Sequence, residues 1–236
     1  MSFFLRPKNI PLGILYLGLP SLYLFIRQKK NYKKIFWGVI IFGVIFGTVF
    51  DFILTINKAW IAQGLSIPWM LFGVWPVDDV FGYVFMALFI FVFYEHFIDD
   101  ERHKKLSKRH AKMLLLSLLV LGMTMFAYFV NPDFLKISHV YLWGGLAAIA
   151  FPIIFSIFNP HIIKKLSVLA VFFFFVWLLL EIVGVKIGGW AFPGSGYIGY
   201  ASIFGVTFPI EEIIFWMLWY PAVIVAYYEY FIDDGK

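Results

Sequence analysis

The sequence lacks cysteine and has few charged residues. None of its 236 residues is cysteine, and 14% are Asp, Glu, Lys or Arg, which excludes disulfide bonds and thiolate metal sites. The five histidines do not have the spacing of metal ligands, so the sequence implies no metal and no other cofactor. No stretch has the composition of a soluble domain or a disordered linker.

Hydrophobic residues dominate the chain. They make up 62% of it, and the mean hydropathy is +0.88. A soluble core cannot hide this much apolar surface, so the composition indicates an integral helical membrane protein. Seven apolar runs are long enough to cross a bilayer core about 30 Å thick. The predicted helices are 10–27, 35–56, 76–98, 112–130, 139–157, 167–184 and 209–231.

The distribution of positive charge predicts the topology. The net charge is +5, but most of the lysines and arginines lie in the first, third and fifth loops and at the C-terminus. Cytoplasmic loops carry such an excess, so we expect the C-terminus in the cytoplasm and the N-terminus outside. The charge is therefore attributed to topology and not to nucleic acid, and a prokaryotic cytoplasmic membrane is the default location.

The sequence repeats itself at an offset of about 130 residues. Asp51 to Trp60 matches Glu181 to Trp190, and Trp75-Pro-Val-Asp-Asp matches Phe208-Pro-Ile-Glu-Glu. A third match joins Tyr94-Glu-His-Phe-Ile-Asp-Asp to Tyr228-Glu-Tyr-Phe-Ile-Asp-Asp. These matches predict one all-α membrane domain, residues 1–236, built from two parallel three-helix repeats, 10–100 and 139–234, with a connector helix at 112–130.

The repeated carboxylic acids are the candidates for chemistry, because ionisable groups inside a membrane bundle mark function by default. Pro76 and Pro209 each stand at a helix start, and an acid pair follows within the first turn. Acids are also common at helix N-termini for electrostatic reasons alone. Two pairs at matching positions, each with an upstream acid, nevertheless favour a functional role over simple helix capping. A desolvated carboxyl group near a helix terminus suits general acid–base catalysis. The six candidates are Asp51, Asp78, Asp79, Glu181, Glu211 and Glu212.

One motif resembles a known family. Pro209-Ile-Glu-Glu-Ile-Ile-Phe-Trp, with Glu181 and Trp190 upstream and the copy Pro76-Val-Asp-Asp-Val-Phe, is similar to the lycopene cyclase domain of fused bacterial, archaeal and fungal carotenoid enzymes. That family carries a Pro-x-Glu-Glu/Asp motif in each of two small helical repeats. The resemblance covers residues 10–234, and the chain departs from it where Asp78-Asp79 replaces a Glu-containing pair.

The resemblance implies a carotenoid cyclase, an isomerase or intramolecular lyase. Such an enzyme closes the ψ end group of a lipophilic polyene into an ionone ring through a carbocation, without a cofactor. It also implies that Glu211, Glu212, Asp78 and Asp79 supply the acid and the base. Aromatic faces can stabilise the cation. The residues expected to offer them are Trp60, Trp75, Trp190, Phe215 and Trp216.

Other functions stay open at this stage. A carotenoid hydratase or isomerase would use the same acids, and a proton-linked transporter also combines intramembrane acids with repeats. The acids Glu95, Asp99-Asp100, Glu229 and Asp233-Asp234 are interpreted as a solvated helix boundary. The sequence leaves open the carotenoid, the ring isomer, whether one or both ends react, and the oligomeric state.

Overall fold

Seven long helices make up most of the part of the chain that the structure describes. The computed structural model describes residues 9–27, 31–99 and 105–233, and within these ranges seven helices are long and apolar enough to cross a membrane. The predicted number is confirmed, and it indicates a membrane protein. The helices are α1 (Asn9–Arg27), α2 (Tyr32–Ile56), α3 (Val77–Ile98), α4 (His110–Val130), α5 (Val140–Phe158), α6 (His161–Lys186) and α7 (Glu212–Phe231).

The start of α6 differs from the prediction. The apolar run begins at residue 167, but the helix begins at His161, directly after Pro160. Proline suits a helix start, because no N–H is needed there. The extension carries Lys165 into the bundle, where it finds carboxylate partners.

Four helices form the core of the bundle. The largest interfaces are α2–α3 and α6–α7. In the most apolar 18-residue segment of each of these four helices, 39–56% of the residues are buried, against 17–22% in α1, α4 and α5. Small residues allow the close α2–α3 contact. A Cβ atom added at Gly47 would lie 2.8 Å from Cγ of Tyr83, and one at Gly43 would lie 2.9 Å from Cβ of Ala87.

The long loops contain short strands that an all-α prediction did not include. The hairpins precede α3 and α7, and in each a Phe-Gly pair with positive φ turns the chain. A third ladder joins the two loops, with Ile61 opposite Ala191 and Ala62 opposite Trp190. The strands are β1 (Ile61–Ala62), β2 (Met70–Leu71), β3 (Trp75–Pro76), β4 (Trp190–Ala191), β5 (Tyr200–Ile203) and β6 (Val206–Pro209).

The acids at the far ends of α3 and α7 do not form a solvated boundary, so that interpretation was wrong. Their exposed fractions are 0% for Glu95, 1% for Asp99, 9% for Glu229 and 2% for Asp233. They are buried because they pair with two lysines, Lys34 and Lys165, which the sequence places in basic loops. Asp100 and Asp234 lie outside the described residues.

Each lysine joins α3 to the C-terminal end of α7. Lys34 Nζ lies 2.8 Å from Glu95 Oε1 and 2.8 Å from Asp233 Oδ2. Lys165 Nζ lies 3.0 Å from Asp99 Oδ1 and 3.1 Å from Glu229 Oε1. We call these six residues the charged layer. Removing one member of a buried ion pair leaves an uncompensated charge, so the layer holds the bundle in one arrangement.

Replacing Lys34 is expected to destabilise the fold strongly. In Lys34→Met, Glu95 and Asp233 lose their shared ammonium group, and the expected loss is about 3–5 kcal/mol. Thermal unfolding in detergent micelles measures it, with Lys34→Arg as the variant that retains the charge. The matched control is Lys136→Met, because Lys136 pairs with Asp133 at side-chain exposures of 66% and 68%, where such pairs contribute little. Equal midpoints for Lys34→Met and Lys136→Met would contradict the role of the layer.

Candidate functional site

All six predicted acids are buried at the other end of the bundle. Asp51 and Glu181 lie near the ends of α2 and α6, and the acid pairs stand at the starts of α3 and α7. Because α3 and α7 run opposite to α2 and α6, these termini meet at one level. The exposed fractions are 0% for Asp51, 3% for Asp78, 6% for Asp79, 3% for Glu181, 0% for Glu211 and 1% for Glu212.

The first acid of each pair binds the loop that precedes it. The carboxylate of Asp78 accepts hydrogen bonds from the backbone N–H groups of Ser66 at 2.5 Å and Ile67 at 2.8 Å. The carboxylate of Glu211 accepts one from Ile198 N–H at 2.6 Å. Such charge-assisted bonds are among the stronger ones in proteins, so Asp78 and Glu211 fix the loops above the helices.

The second acid of each pair faces the upstream acid. The carboxyl groups of Asp79 and Asp51 lie next to each other. Glu212 and Glu181 line one cavity together. Successive helix positions point about 100° apart, which is why the two acids of a pair take different roles.

The upstream acids are held by neutral donors. Asp51 accepts hydrogen bonds from the Trp75 indole N–H and from the Tyr83 hydroxyl, the latter at 3.3 Å. Glu181 accepts one from the Trp190 indole N–H at 2.6 Å. Hydrogen bonds of this kind favour the ionised form of a carboxyl group. Because the donors are neutral, they orient each carboxyl group without placing a positive charge beside it.

A small cavity of about 80 Å³ lies between the second acids and the aromatic residues; we call it the acid chamber. Trp60 and Trp190 form part of its wall, with ring centroids 6.4 Å apart. The Tyr141 hydroxyl donates to Glu212 Oε2. The chamber's polar and aromatic lining is Asp78, Asp79, Glu181, Glu212, Trp60, Trp190, Trp216, Tyr83 and Tyr141.

A larger apolar cavity of about 330 Å³ adjoins the chamber; we call it the slot. The two cavities share Tyr83, Tyr141 and Trp216 as walls. Residues of α2, α4, α5 and α7 line the slot, and on α7 they run from Phe215 to Tyr227, a length of roughly 18 Å. The slot is therefore elongated along the helices, with the acids at one end.

Two loops cover the chamber; we call residues 57–76 and 187–209 the lid. The β1–β4 ladder joins them, and the Tyr197 hydroxyl donates to the Ala59 carbonyl at 2.7 Å. Burial raises the pKa of Tyr197 to about 12, so this donor stays protonated at neutral pH. The lid also reaches α1, because Asn9 N–H donates to the Gly64 carbonyl at 2.9 Å.

The predicted aromatic residues fall in different places. Trp60, Trp190 and Trp216 line the acid chamber, and Phe215 lines the slot. Trp75 lines neither cavity, since its indole is bound to Asp51 and its ring is 2% exposed. Sequence analysis missed Tyr83 and Tyr141, because a tyrosine within an apolar helix is the only signal and the chain has 13 tyrosines.

Possible metal ligands group at the charged layer and not at the acid chamber. Among the described residues, Asp99, Glu229 and Asp233 bring carboxylate oxygens within 4.8 Å of one another. The ammonium group of Lys165 already contacts Asp99 and Glu229. A cation is thus supplied there by the chain itself.

Comparisons with family models, with curated proteins and with solved structures gave no match. The acid chamber and the slot are therefore the features of this chain that bear on its function.

Replacing the first acids is expected to loosen the lid. Asp78→Ala removes the acceptor for Ser66 and Ile67, and we expect their amide exchange to accelerate by about 10-fold or more, as for loss of a charge-assisted hydrogen bond. Hydrogen–deuterium exchange of the peptide containing both residues measures this. Asp78→Asn keeps an acceptor oxygen and serves as the matched control. Unchanged exchange in Asp78→Ala would show that the carboxylate does not hold the loop.

Proposed function

We propose that the chain is a membrane-integral carotenoid cyclase of the lycopene cyclase type, which closes the ψ end group of a polyene by acid–base catalysis. The observation that carries the proposal is the joining of an elongated apolar slot to a chamber lined by the carboxyl groups of Asp79, Glu181 and Glu212. A linear hydrocarbon fits the slot by shape and polarity. Its terminal alkene would then lie against the acids.

The second acids are the proton donors in this proposal. Asp79 and Glu212 lie opposite Asp51 and Glu181, and two close carboxyl groups cannot both ionise readily, so each set retains a proton. Glu212 transfers its proton to the terminal alkene, where a C–H bond forms and a tertiary carbocation remains. The Tyr141 hydroxyl, bonded to Glu212 Oε2, stabilises the carboxylate left behind.

Glu181, the upstream acid that lines the chamber, is the base. Attack of the neighbouring double bond on the cation forms the ring carbon–carbon bond and moves the positive charge into the ring. Loss of a ring proton to Glu181 restores a double bond, so the mass and the oxidation level of the substrate do not change. The Trp190 indole N–H that donates to Glu181 favours the carboxylate that this step requires.

The aromatic walls suit the cation. Trp60, Trp190 and Trp216 surround the space between the acids, and a desolvated cation over an aromatic face gains about 2 kcal/mol. The lid keeps water from the cation, which favours proton loss over hydration. Hydration is the reaction of the alternative carotenoid hydratase.

The slot also argues against a proton-linked transporter. A path for ions needs polar groups along its length. The described walls of the slot contain no Asp, Glu, Lys or Arg, and their polar side-chain groups are the hydroxyls of four tyrosines and the indole N–H groups of two tryptophans.

The proposal extends to the architecture. Two parallel three-helix repeats with α4 as their connector explain why Asp78 and Glu211 both bind their loops and why Lys34 and Lys165 both bridge α3 and the end of α7. With the N-terminus outside and the C-terminus in the cytoplasm, the acid chamber lies near the outer face of a prokaryotic membrane.

Replacing Glu211 and replacing Glu212 are expected to have very different effects on cyclisation activity. Glu212→Gln removes the proposed donor, and we expect cyclisation to fall by about 100-fold or more. Glu211→Gln keeps an acceptor for Ile198 N–H and should retain most of the activity. Pigment analysis of lycopene-accumulating cells that express each variant measures the result, with protein levels in the membrane as the control. Persistent lycopene with the unaltered chain would refute the function, and equal activity of both variants would refute the assignment of roles.

Filling the slot is expected to abolish conversion. Ala148 lines the slot, whereas its neighbour Ala147 is exposed on the outside of α5. Ala148→Trp should exclude the polyene and leave lycopene unconverted, and Ala147→Trp should convert it as the unaltered chain does. The same pigment assay measures both. Conversion by Ala148→Trp at the normal rate would show that the substrate lies elsewhere.

A further inference from the structure

The two ends of the slot are closed by different means. At one end, the lid is joined by the β1–β4 ladder and held down by Asp78 and Glu211. Toward the other end, Tyr227 is followed by Tyr228, whose hydroxyl donates to Glu95 of the charged layer at 2.5 Å. A hydrocarbon that entered along the bundle axis would have to displace bonded backbone or buried ion pairs.

The side of the slot is open. Leu116 of α4 and Trp219 of α7 both line it, yet their exposed fractions are 49% and 39%. The two helices that follow each other here, α4 and α5, pack mainly on α2 and α7 rather than on each other. Both are among the less buried helices: only 17% of the residues in the most apolar segment of α4 and 22% of those in α5 are buried. The slot therefore reaches the surface that faces lipid.

We propose that an acyclic isoprenoid chain enters the slot sideways from the bilayer, past Leu116 and Trp219, and brings its end group to the acid chamber. This inference rests on the proposed function and adds the source of the ligand and its route into the slot. No Asp, Glu, Lys or Arg occurs among the described residues that line the slot, so a lipid headgroup would be desolvated without a partner there. An uncharged hydrocarbon end carries no such cost, and any length beyond the slot remains in the lipid.

The absence of cysteine makes the entrance testable by thiol chemistry. Leu116 and Leu118 have exposed fractions of 49% and 48%, but they lie two positions apart on α4 and point about 200° apart. Leu116 lines the slot and Leu118 does not. Leu116→Cys and Leu118→Cys each introduce the only thiol of the chain, and a bulky, membrane-permeable methanethiosulfonate reagent labels it reversibly.

The experiment uses the full chain in phospholipid vesicles that contain lycopene. Labelling Leu116→Cys should lower the initial rate of cyclisation by at least 10-fold and reduce quenching of tryptophan fluorescence by the polyene; reduction of the label should restore both. Labelling Leu118→Cys should change the rate by less than 2-fold. Equal effects at both positions, or no effect at Leu116→Cys, would overturn lateral entry.

The quenching signal separates this inference from the proposed function. If the unaltered chain forms no ring but lycopene quenches its fluorescence, and only the label at Leu116→Cys prevents quenching, the function fails and lateral entry stands. If lycopene does not quench the unaltered chain, entry of this ligand is refuted as well.

Discussion

A carboxyl group inside a membrane bundle needs a partner, because no water is available to solvate it, and this requirement organises both ends of the molecule. In the charged layer the partners are ammonium groups, each between two carboxylates. Around the acid chamber the donors are indoles, hydroxyls and backbone N–H groups. Ion pairing fixes the first set within the bundle, whereas neutral donors orient the second set.

Part of this arrangement could be predicted from sequence. The seven helices follow from apolar runs, and the six buried acids at the chamber end of the bundle follow from their repetition in matching context. The charged layer could not be predicted from the sequence. Lys34 and Lys165 stand beside Lys33 and Lys164, in segments that look like ordinary basic loops. Their partners lie 61 to 199 positions away, and pairing over such separations is a property of tertiary packing.

The helices also contain a detail that periodicity does not predict. Wider π-helical turns occupy Val39–Phe46 of α2, Tyr94–Ile98 of α3 and Glu212–Trp219 of α7. Such turns often lie at functional sites, and they rotate the side chains that follow relative to a regular α-helix. The turn in α7 begins at Glu212 and includes Phe215, Trp216 and Trp219. All three line the slot, and Trp216 also lines the acid chamber.

The crossed pairing of the charged layer has a consequence for biogenesis. Asp99 leaves the ribosome 66 residues before its partner Lys165, and Lys34 leaves it 199 residues before Asp233. Each lysine can pair with its α3 carboxylate before α7 has been synthesised, and its second carboxylate arrives only with the C-terminal end of α7. A translation product that ends before α7 therefore leaves each lysine with one carboxylate instead of two, and the α3 and α7 ends are not yet joined.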